Sequence, residues 1–177
     1  MPFTAFHVVP VWPLYVRWPR HFDVLALTMG AILPDLEIVA VYPMTRDWEW
    51  GRTVMHSFLG VVTVNLVLSL LAARLLIPAV AERLDRRHPG KGWRRFAGRD
   101  YVTDRRSLPV AAVSAVLGGA THLAIDLTHH LDTPVLWPWR DRALHLVPWA
   151  DDPLWNLTVN AAFGVIFAGL VLRWVGK

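Results

Sequence analysis

The chain has 177 residues, of which 54% are hydrophobic and only 18% are charged, whereas soluble domains carry about 25% charged residues. It contains no cysteine, so disulfides and thiolate metal sites are excluded. The formal net charge is +4, but nine of the 18 Lys and Arg fall between Arg83 and Arg106. This clustering is typical of the cytoplasmic side of a membrane protein and not of a nucleic-acid-binding protein. The length predicts a single integral membrane domain over residues 1–177.

The first two apolar stretches are short and contain proline. Residues 4–18 include Pro10 and Pro13, which predicts a short or re-entrant helix. Residues 22–36 are expected to form a second helix. Pro34 should end or kink this helix, because proline lacks a backbone N–H and restricts the residue before it.

Three later stretches are long enough to span a membrane. Residues 53–78 and 153–175 each offer the roughly 20 apolar residues that cross about 30 Å of hydrocarbon. Residues 108–130 are also expected to form a span, although the last nine residues of this stretch include three histidines and an aspartate. The arginine-rich segment 79–107 is expected to be a cytoplasmic loop. The predicted fold is therefore all-α, a polytopic membrane helical bundle of four or five segments.

The distribution of basic residues predicts the orientation of this bundle. With the 79–107 segment inside and the spans alternating, 14 of the 18 Lys and Arg lie at the inner side and four lie outside. Those four are Arg46, Arg52, Arg140 and Arg142. The same alternation brings the polar ends of the segments to one face, which we expect to be extracytoplasmic.

Histidines and aspartates concentrate at that predicted outer face. They are His7, Asp35, His56, His122, Asp126, His129 and His130, with His145 in the outer loop. His122 and Asp126 are four residues apart and share one side of a helix, which His129 continues. A carboxylate within a span costs about 2.5–3.5 kcal/mol on insertion and is usually functional. The pattern predicts a metal site.

Imidazole nitrogen and carboxylate oxygen suit Zn²⁺, and also Mn²⁺ or Fe²⁺. Seven candidate ligands allow one to three ions, although the adjacent His129 and His130 point in different directions, so at most one shares the His122 face. Two ions about 4 Å apart would steady the attacking and leaving oxygens at phosphorus. Asp35 is a candidate general base if it is not a ligand.

Other residues near this face have open roles. Arg140 or Arg142 could hold a phosphate by bidentate contacts, or could snorkel at the interface. His145 could be a ligand, a substrate contact or an interfacial residue. Glu37, two residues past Asp35, could support the site or face water.

Five motifs occur in order along nearly the whole chain: MPFTAFH, GAILPDL, MHSFLG, GATHLAIDLTH and VLWPW. Together they resemble the prokaryotic membrane proteins grouped as domain of unknown function 4184, and the related YdjM-like inner-membrane group of predicted metal-dependent hydrolases. The resemblance implies a multi-pass cell-membrane protein. It also implies that the chain carries the histidines and aspartates characteristic of the family, which we call its polar anchors. In this chain those anchors fall on His7, Asp35, His56, His122 and Asp126.

The order of these anchors is also similar, more distantly, to that in zinc-dependent phospholipase C and S1/P1 nuclease, which are soluble helical enzymes. In them the N-terminal amine binds metal, and here it would stand six residues before His7. This likeness implies phosphoester hydrolysis. We therefore expect a metal-dependent hydrolase, a phosphoesterase that acts on a phospholipid or lipid-linked phosphate, with no nucleic-acid partner.

Two alternatives remain at this point. A divalent-metal or proton-handling transporter would need a polar path through the bundle, for which the 53–78 span offers Asn65 and Ser69 but no deep carboxylate. A non-catalytic, metal-stabilised scaffold would have a closed coordination sphere, because catalytic sites keep a position open.

Overall fold

A computed structural model describes residues 4–47, 50–96, 107–131, 133–140, 144 and 146–175. This part of the chain is helical and contains no strand. Its helices are α1 (Val8–Arg17), α2 (Val24–Ile32), α3 (Pro34–Thr45), α4 (Phe58–Arg87, with π-helical stretches at Val61–Asn65 and Ala72–Leu76), α5 (Ser107–His129) and α6 (Pro153–Val175). Short 3₁₀ turns cover Thr4–His7, Trp50–Arg52 and Trp93–Phe96.

Four helical segments are long and apolar enough to cross a membrane. They are α2 with α3 (Val24–Thr45), α4 (Phe58–Arg87), α5 (Ser107–His129) and most of α6 (Pro153–Arg173). The predicted spans 108–130 and 153–175 match α5 and α6 closely. Because α1 has only ten residues, the prediction of a short N-terminal helix is confirmed.

The second segment is longer than predicted. Its helix is interrupted at Leu33, as the proline indicated, but a further helix begins at Pro34 and continues to Thr45. The predicted end at residue 36 is therefore wrong. Proline is tolerated at the first position of a helix, where its missing N–H would have no partner in any case. Leu33 keeps helical dihedral angles, φ −62° and ψ −30°, so the chain passes from α2 to α3 almost without a break.

The third segment is displaced relative to the predicted 53–78. Its helix begins at Phe58, where the Ser57 side chain caps the N-terminus by accepting the Gly60 N–H at 3.0 Å. It continues to Arg87, so the first part of the predicted 79–107 loop is helical. This extension is amphipathic: it buries Ala81 and holds charged residues outside, including an i, i+4 pair in which Arg86 donates to Glu82 at 3.1 Å.

Small residues allow α2, α4 and α5 to pack closely. Ala26, Ala73 and Ala115 are fully buried where the three helices meet. A Cβ atom added to Gly30 would overlap the backbone of Ala115, and one added to Gly118 would overlap the backbone of α2. The helices therefore approach backbone to backbone, as small residues permit in membrane bundles.

Contacts along the helices define their directions. From Asp23 beside Ser114 to Ala31 beside His122, α2 and α5 meet in the same order, so these two helices are parallel. In contrast, Val61 at the start of α4 packs against Leu123 near the end of α5, so α4 is antiparallel to α5. The start of α3, the start of α4 and the end of α5 therefore lie close together.

Candidate metal centre

Five ionisable side chains that are far apart in the sequence meet in the interior where these three helices come together. They are His7, Asp35, His56, His122 and Asp126, with exposed fractions of 1%, 3%, 0%, 0% and 1%. They come from the 3₁₀ turn before α1, from α3, from the loop before α4 and from α5. The convergence expected from the alternation of spans is therefore present.

His122 is oriented by the interruption between α2 and α3. Its Nδ1 atom lies 2.9 Å from the carbonyl oxygen of Ala31, which can only accept, so Nδ1 carries the proton and donates. The Nε2 lone pair then faces the cluster. The neighbouring carbonyl of Gly30 would bond to an N–H at position 34, which proline lacks. The buried Asn65 amide replaces that donor at 3.1 Å, a role that the sequence did not reveal.

His56 is oriented by Glu37, whose role the sequence left open. The Glu37 carboxylate accepts the backbone N–H groups of Val54 and Met55, both at 2.8 Å, and its Oε2 lies 3.4 Å from Nδ1 of His56. Glu37 thus holds the loop before α4 and turns Nε2 of His56 toward the cluster. A carboxylate behind a histidine in this way is the usual arrangement at metal-binding histidines.

The environment of His56 also favours a positive charge. Burial by itself lowers the pKa of His56, but the carboxylates of Asp35 and Glu37 outweigh burial and raise the pKa to about 9. A cation at this position is therefore stabilised by the surrounding carboxylates, whether that cation is a proton or a metal ion.

Five of the six distances among four donor atoms are compatible with a tetrahedral site. The Nε2 atoms of His56 and His122 are 3.4 Å apart, and each lies 3.4 Å from Oδ2 of Asp126. Oδ1 of Asp35 lies 3.6 Å from His122 Nε2 and 3.8 Å from His56 Nε2. Zinc ligands about 2.0–2.1 Å from the ion stand about 3.3–3.4 Å apart at tetrahedral corners. The observed spacing is close to this.

The remaining carboxylate oxygens face His7. Its Nε2 lies 3.9 Å from Oδ2 of Asp35 and 3.8 Å from Oδ1 of Asp126. The His7 ring stacks on that of His122, with 3.9 Å between centroids. Burial, and then the proximity of His122, lower the pKa of His7 to about 3, so its imidazole is neutral at pH 7 and can donate a lone pair. Each aspartate therefore lies between His7 and the His56–His122 pair.

The two aspartates face imidazoles at ion-pair distance, but most of their oxygens accept no hydrogen bond. Both oxygens of Asp35 and Oδ2 of Asp126 are buried without a hydrogen bond. Burying a charge costs several kcal/mol unless a counter-charge or hydrogen bonds compensate. Two groups of three residues each bring their ligand atoms within 4.8 Å of one another: His7, His122 and Asp126 form one group, and Asp35, His56 and His122 form the other. These residues could hold a metal ion, which would supply a further counter-charge and direct ligand bonds.

His129 and His130 are buried but lie outside both groups. Nδ1 of His129 is 2.9 Å from the carbonyl oxygen of Ile125 and 2.8 Å from Oγ1 of Thr128, so this ring is tied to its own helix. It also lies beside the Trp155 ring, at 6.2 Å between centroids. The expectation that one of these histidines shares the ligand face of His122 finds no support in this geometry.

The expected substrate contacts are mostly outside the described residues. Arg142 and His145 both fall there. Arg140 is exposed after the turn at residues 135–139, and its backbone N–H donates to the Leu136 carbonyl at 3.1 Å. The substrate roles of these three residues stay predictions.

A family model described as "Domain of unknown function (DUF4184)" matches residues 1–172, so the chain belongs to this family. No curated protein and no solved structure matches the chain. The resemblance to the YdjM-like group and the more distant one to zinc-dependent phospholipase C and S1/P1 nuclease stay predictions.

Proposed function

We propose that this member of the DUF4184 family is a membrane-embedded metal-dependent hydrolase, a phosphoesterase that acts on a phospholipid or lipid-linked phosphate. The observation that carries the proposal is the sharing of both aspartates between two sets of imidazoles. Carboxylates that present one oxygen to each side are suited to hold two cations close together.

The two sides of the cluster differ in the number of donors. His56 and His122, with one oxygen each from Asp35 and Asp126, offer four donors, the number that fills the coordination sphere of a structural zinc site. His7, with the other oxygens of the same aspartates, offers three. Three protein ligands leave one coordination position for water or substrate, as catalytic zinc sites require. We therefore assign the reaction to the His7 side, with Zn²⁺ as the proposed metal; Mn²⁺ and Fe²⁺ accept the same donors.

The chain's own residues position this chemistry. When bound, the ions would lower the pKa of a water molecule toward about 7 and neutralise the charge that develops at phosphorus. Both Asp35 oxygens face imidazoles, which favours a ligand role over that of a general base. Glu37 and the Ala31 carbonyl fix the rings of His56 and His122, so the donors are organised before the cations bind.

The surroundings support a lipid substrate. The centre lies where α3, α4 and α5 of a bundle of four candidate spans meet. A substrate whose phosphate already lies at the membrane interface could reach it without leaving the bilayer. The proposed location is the extracytoplasmic face, and Arg140, Arg142 and His145 are the proposed phosphate contacts.

One observation favours a second candidate, a non-catalytic metal-stabilised scaffold. The side with four donors leaves no coordination position for water, and structural zinc sites likewise have four protein ligands. Such a protein would bind metal and gain stability from it, but would not release phosphate.

The experiment compares metal content and phosphate release in the full chain purified in detergent. We expect bound zinc in the wild type, its loss in Asp126→Ala and His56→Ala, and wild-type content in the exposed controls Asp151→Ala and His21→Ala. Across a panel of phospholipids, release of phosphate or head group should stop on chelation and return with zinc. Full metal content in both cluster variants refutes the metal centre. Metal binding without release from any lipid refutes the hydrolase and leaves the scaffold.

A further inference from the structure

A cavity of about 430 Å³ lies between α1, α6 and the 3₁₀ turn Trp93–Phe96. Its walls include Val8 and Trp12 of α1 and Leu170 of α6, and every lining side chain is apolar or aromatic except Arg95. We propose that this cavity binds an acyl chain of one anionic phospholipid, with the phosphate held at Arg95. The site shares no lining residue with the metal cluster, so the proposal goes beyond the function proposed above.

The position of α6 leaves this space open. None of the described side chains of α6 is buried, so the helix adds little to the core of the bundle. It contacts the N-terminal segment where the rings of Phe6 and Phe167 lie 5.9 Å apart. The cavity continues from this contact toward the C-terminal end of α6, along Leu170 and Val171. A long apolar chain is a suitable occupant of such a gap between two helices that face lipid.

The turn after α4 places a cation at the mouth of the cavity. Gly90 and Gly92 have φ values of +80° and +74°, which side-chain-bearing residues rarely adopt, so they reverse the chain after the helix. Trp93, Arg95 and Phe96 then lie against the cavity. Arg95 is both a lining residue and exposed, and its guanidinium lies 5.5 Å from the centroid of the Phe96 ring.

Charge complementarity selects an anionic head group. Arg83, Arg87 and Lys91 are exposed on the same segment, but of these four basic residues Arg95 alone lines the apolar cavity. Basic residues near a membrane surface attract anionic lipid by about 1 kcal/mol each, or about fivefold in affinity. Tryptophan and tyrosine beside the opening are typical of the level of lipid head groups. A lipid satisfies both features, because its phosphate meets the arginine while its chain fills the apolar space.

The size of the cavity disfavours a protein occupant. A volume of 430 Å³ is within the range of about 300–1,000 Å³ found for small-molecule sites. A helix about 10 Å across would fill it with only about one turn. An extended hydrocarbon chain is thinner and enters between α1 and α6 more readily than a helix.

The test is native mass spectrometry of the full chain in mild detergent, with phosphatidylglycerol or phosphatidylcholine of identical acyl chains. We expect saturation at one retained lipid and about a fivefold preference for phosphatidylglycerol. Arg95→Gln should remove the preference. Arg94→Gln is the matched control, since Arg94 is paired with Asp85 at 2.7 Å and does not line the cavity, and it should keep the preference.

A second pair of variants tests the cavity itself. Leu170→Trp should fill the cavity and reduce retention of both lipids, whereas Leu172→Trp, on the same helix at a position 72% exposed and outside the lining, should not. Equal retention by these two variants, or equal affinity for the two lipids in the wild type, overturns the proposal. A dimer that Leu170→Trp dissociates overturns it in favour of a second copy of the chain. Zinc content, measured on the same samples, should be unchanged and separates this site from the metal centre.

Discussion

Replacing Glu37 by glutamine removes the negative charge that lies behind His56 while keeping the size of the side chain. The Oε2 atom that lies 3.4 Å from Nδ1 of His56 also accepts the Met55 N–H at 2.8 Å, and Oε1 accepts the Val54 N–H. Glutamine retains one carbonyl oxygen but turns an NH₂ group toward one of these donors. The variant therefore loses both a charge-assisted partner of a metal ligand and a backbone hydrogen bond.

The two losses have different expected magnitudes. Removing the supporting partner of a metal-binding histidine usually lowers metal affinity about 10- to 100-fold. Because the Nδ1–Oε2 distance of 3.4 Å is long for a hydrogen bond, we expect the lower end, about tenfold, for Glu37→Gln. The backbone N–H left without an acceptor should cost about 1–3 kcal/mol of folding stability.

The assay is zinc affinity by competition with a chelator in detergent, at a temperature at which size-exclusion chromatography shows both proteins folded. Glu82→Gln is the control, because Glu82 is an exposed carboxylate of α4 whose pair with Arg86 is remote from the cluster. A lowered melting temperature with affinity within twofold of wild type would refute the reasoning. Glu37 would then stabilise the loop before α4 without tuning the metal site.

Three further predictions concern the two-ion arrangement, its protonation and the packing that supports it. His7→Ala should retain about half of the bound zinc, because the four donors around the other ion are intact; elemental analysis that finds all or none of the metal contradicts the assignment. Zinc affinity should rise about tenfold per pH unit between pH 6 and 8, since the pKa of His56 is raised to about 9 and binding must displace its proton; a flat profile by chelator competition would count against His56 as a ligand. Gly118→Ala should destabilise by about 1–3 kcal/mol, because the added Cβ overlaps the carbonyl of Leu27. Gly169→Ala, with open space around its Cβ, should be neutral or stabilising by up to about 1 kcal/mol, and equal thermal melting of the two variants contradicts the packing account.

The sequence by itself determined the class of the protein and most of the candidate centre. The runs of apolar residues predicted the bounds of α5 and α6 to within one residue. A helix that crosses a membrane needs about 20 consecutive apolar residues, and this requirement depends only on the segment itself. The alternation of spans also predicted that His7, Asp35, His56, His122 and Asp126 would converge, and these five side chains do lie close together.

Only the tertiary structure decided how the second and third segments end and which side chains enter the cluster. Local rules predicted a helix end near Pro34, but the carbonyl that proline leaves without a donor is bonded by Asn65 from another helix. Likewise, spacing along α5 placed His129 on the face of His122, yet its ring bonds back to Ile125. The orientations of His56 and His122 depend on a carboxylate and a carbonyl from other helices. Such partners are chosen by packing between distant segments, and periodicity within one helix carries no information about them.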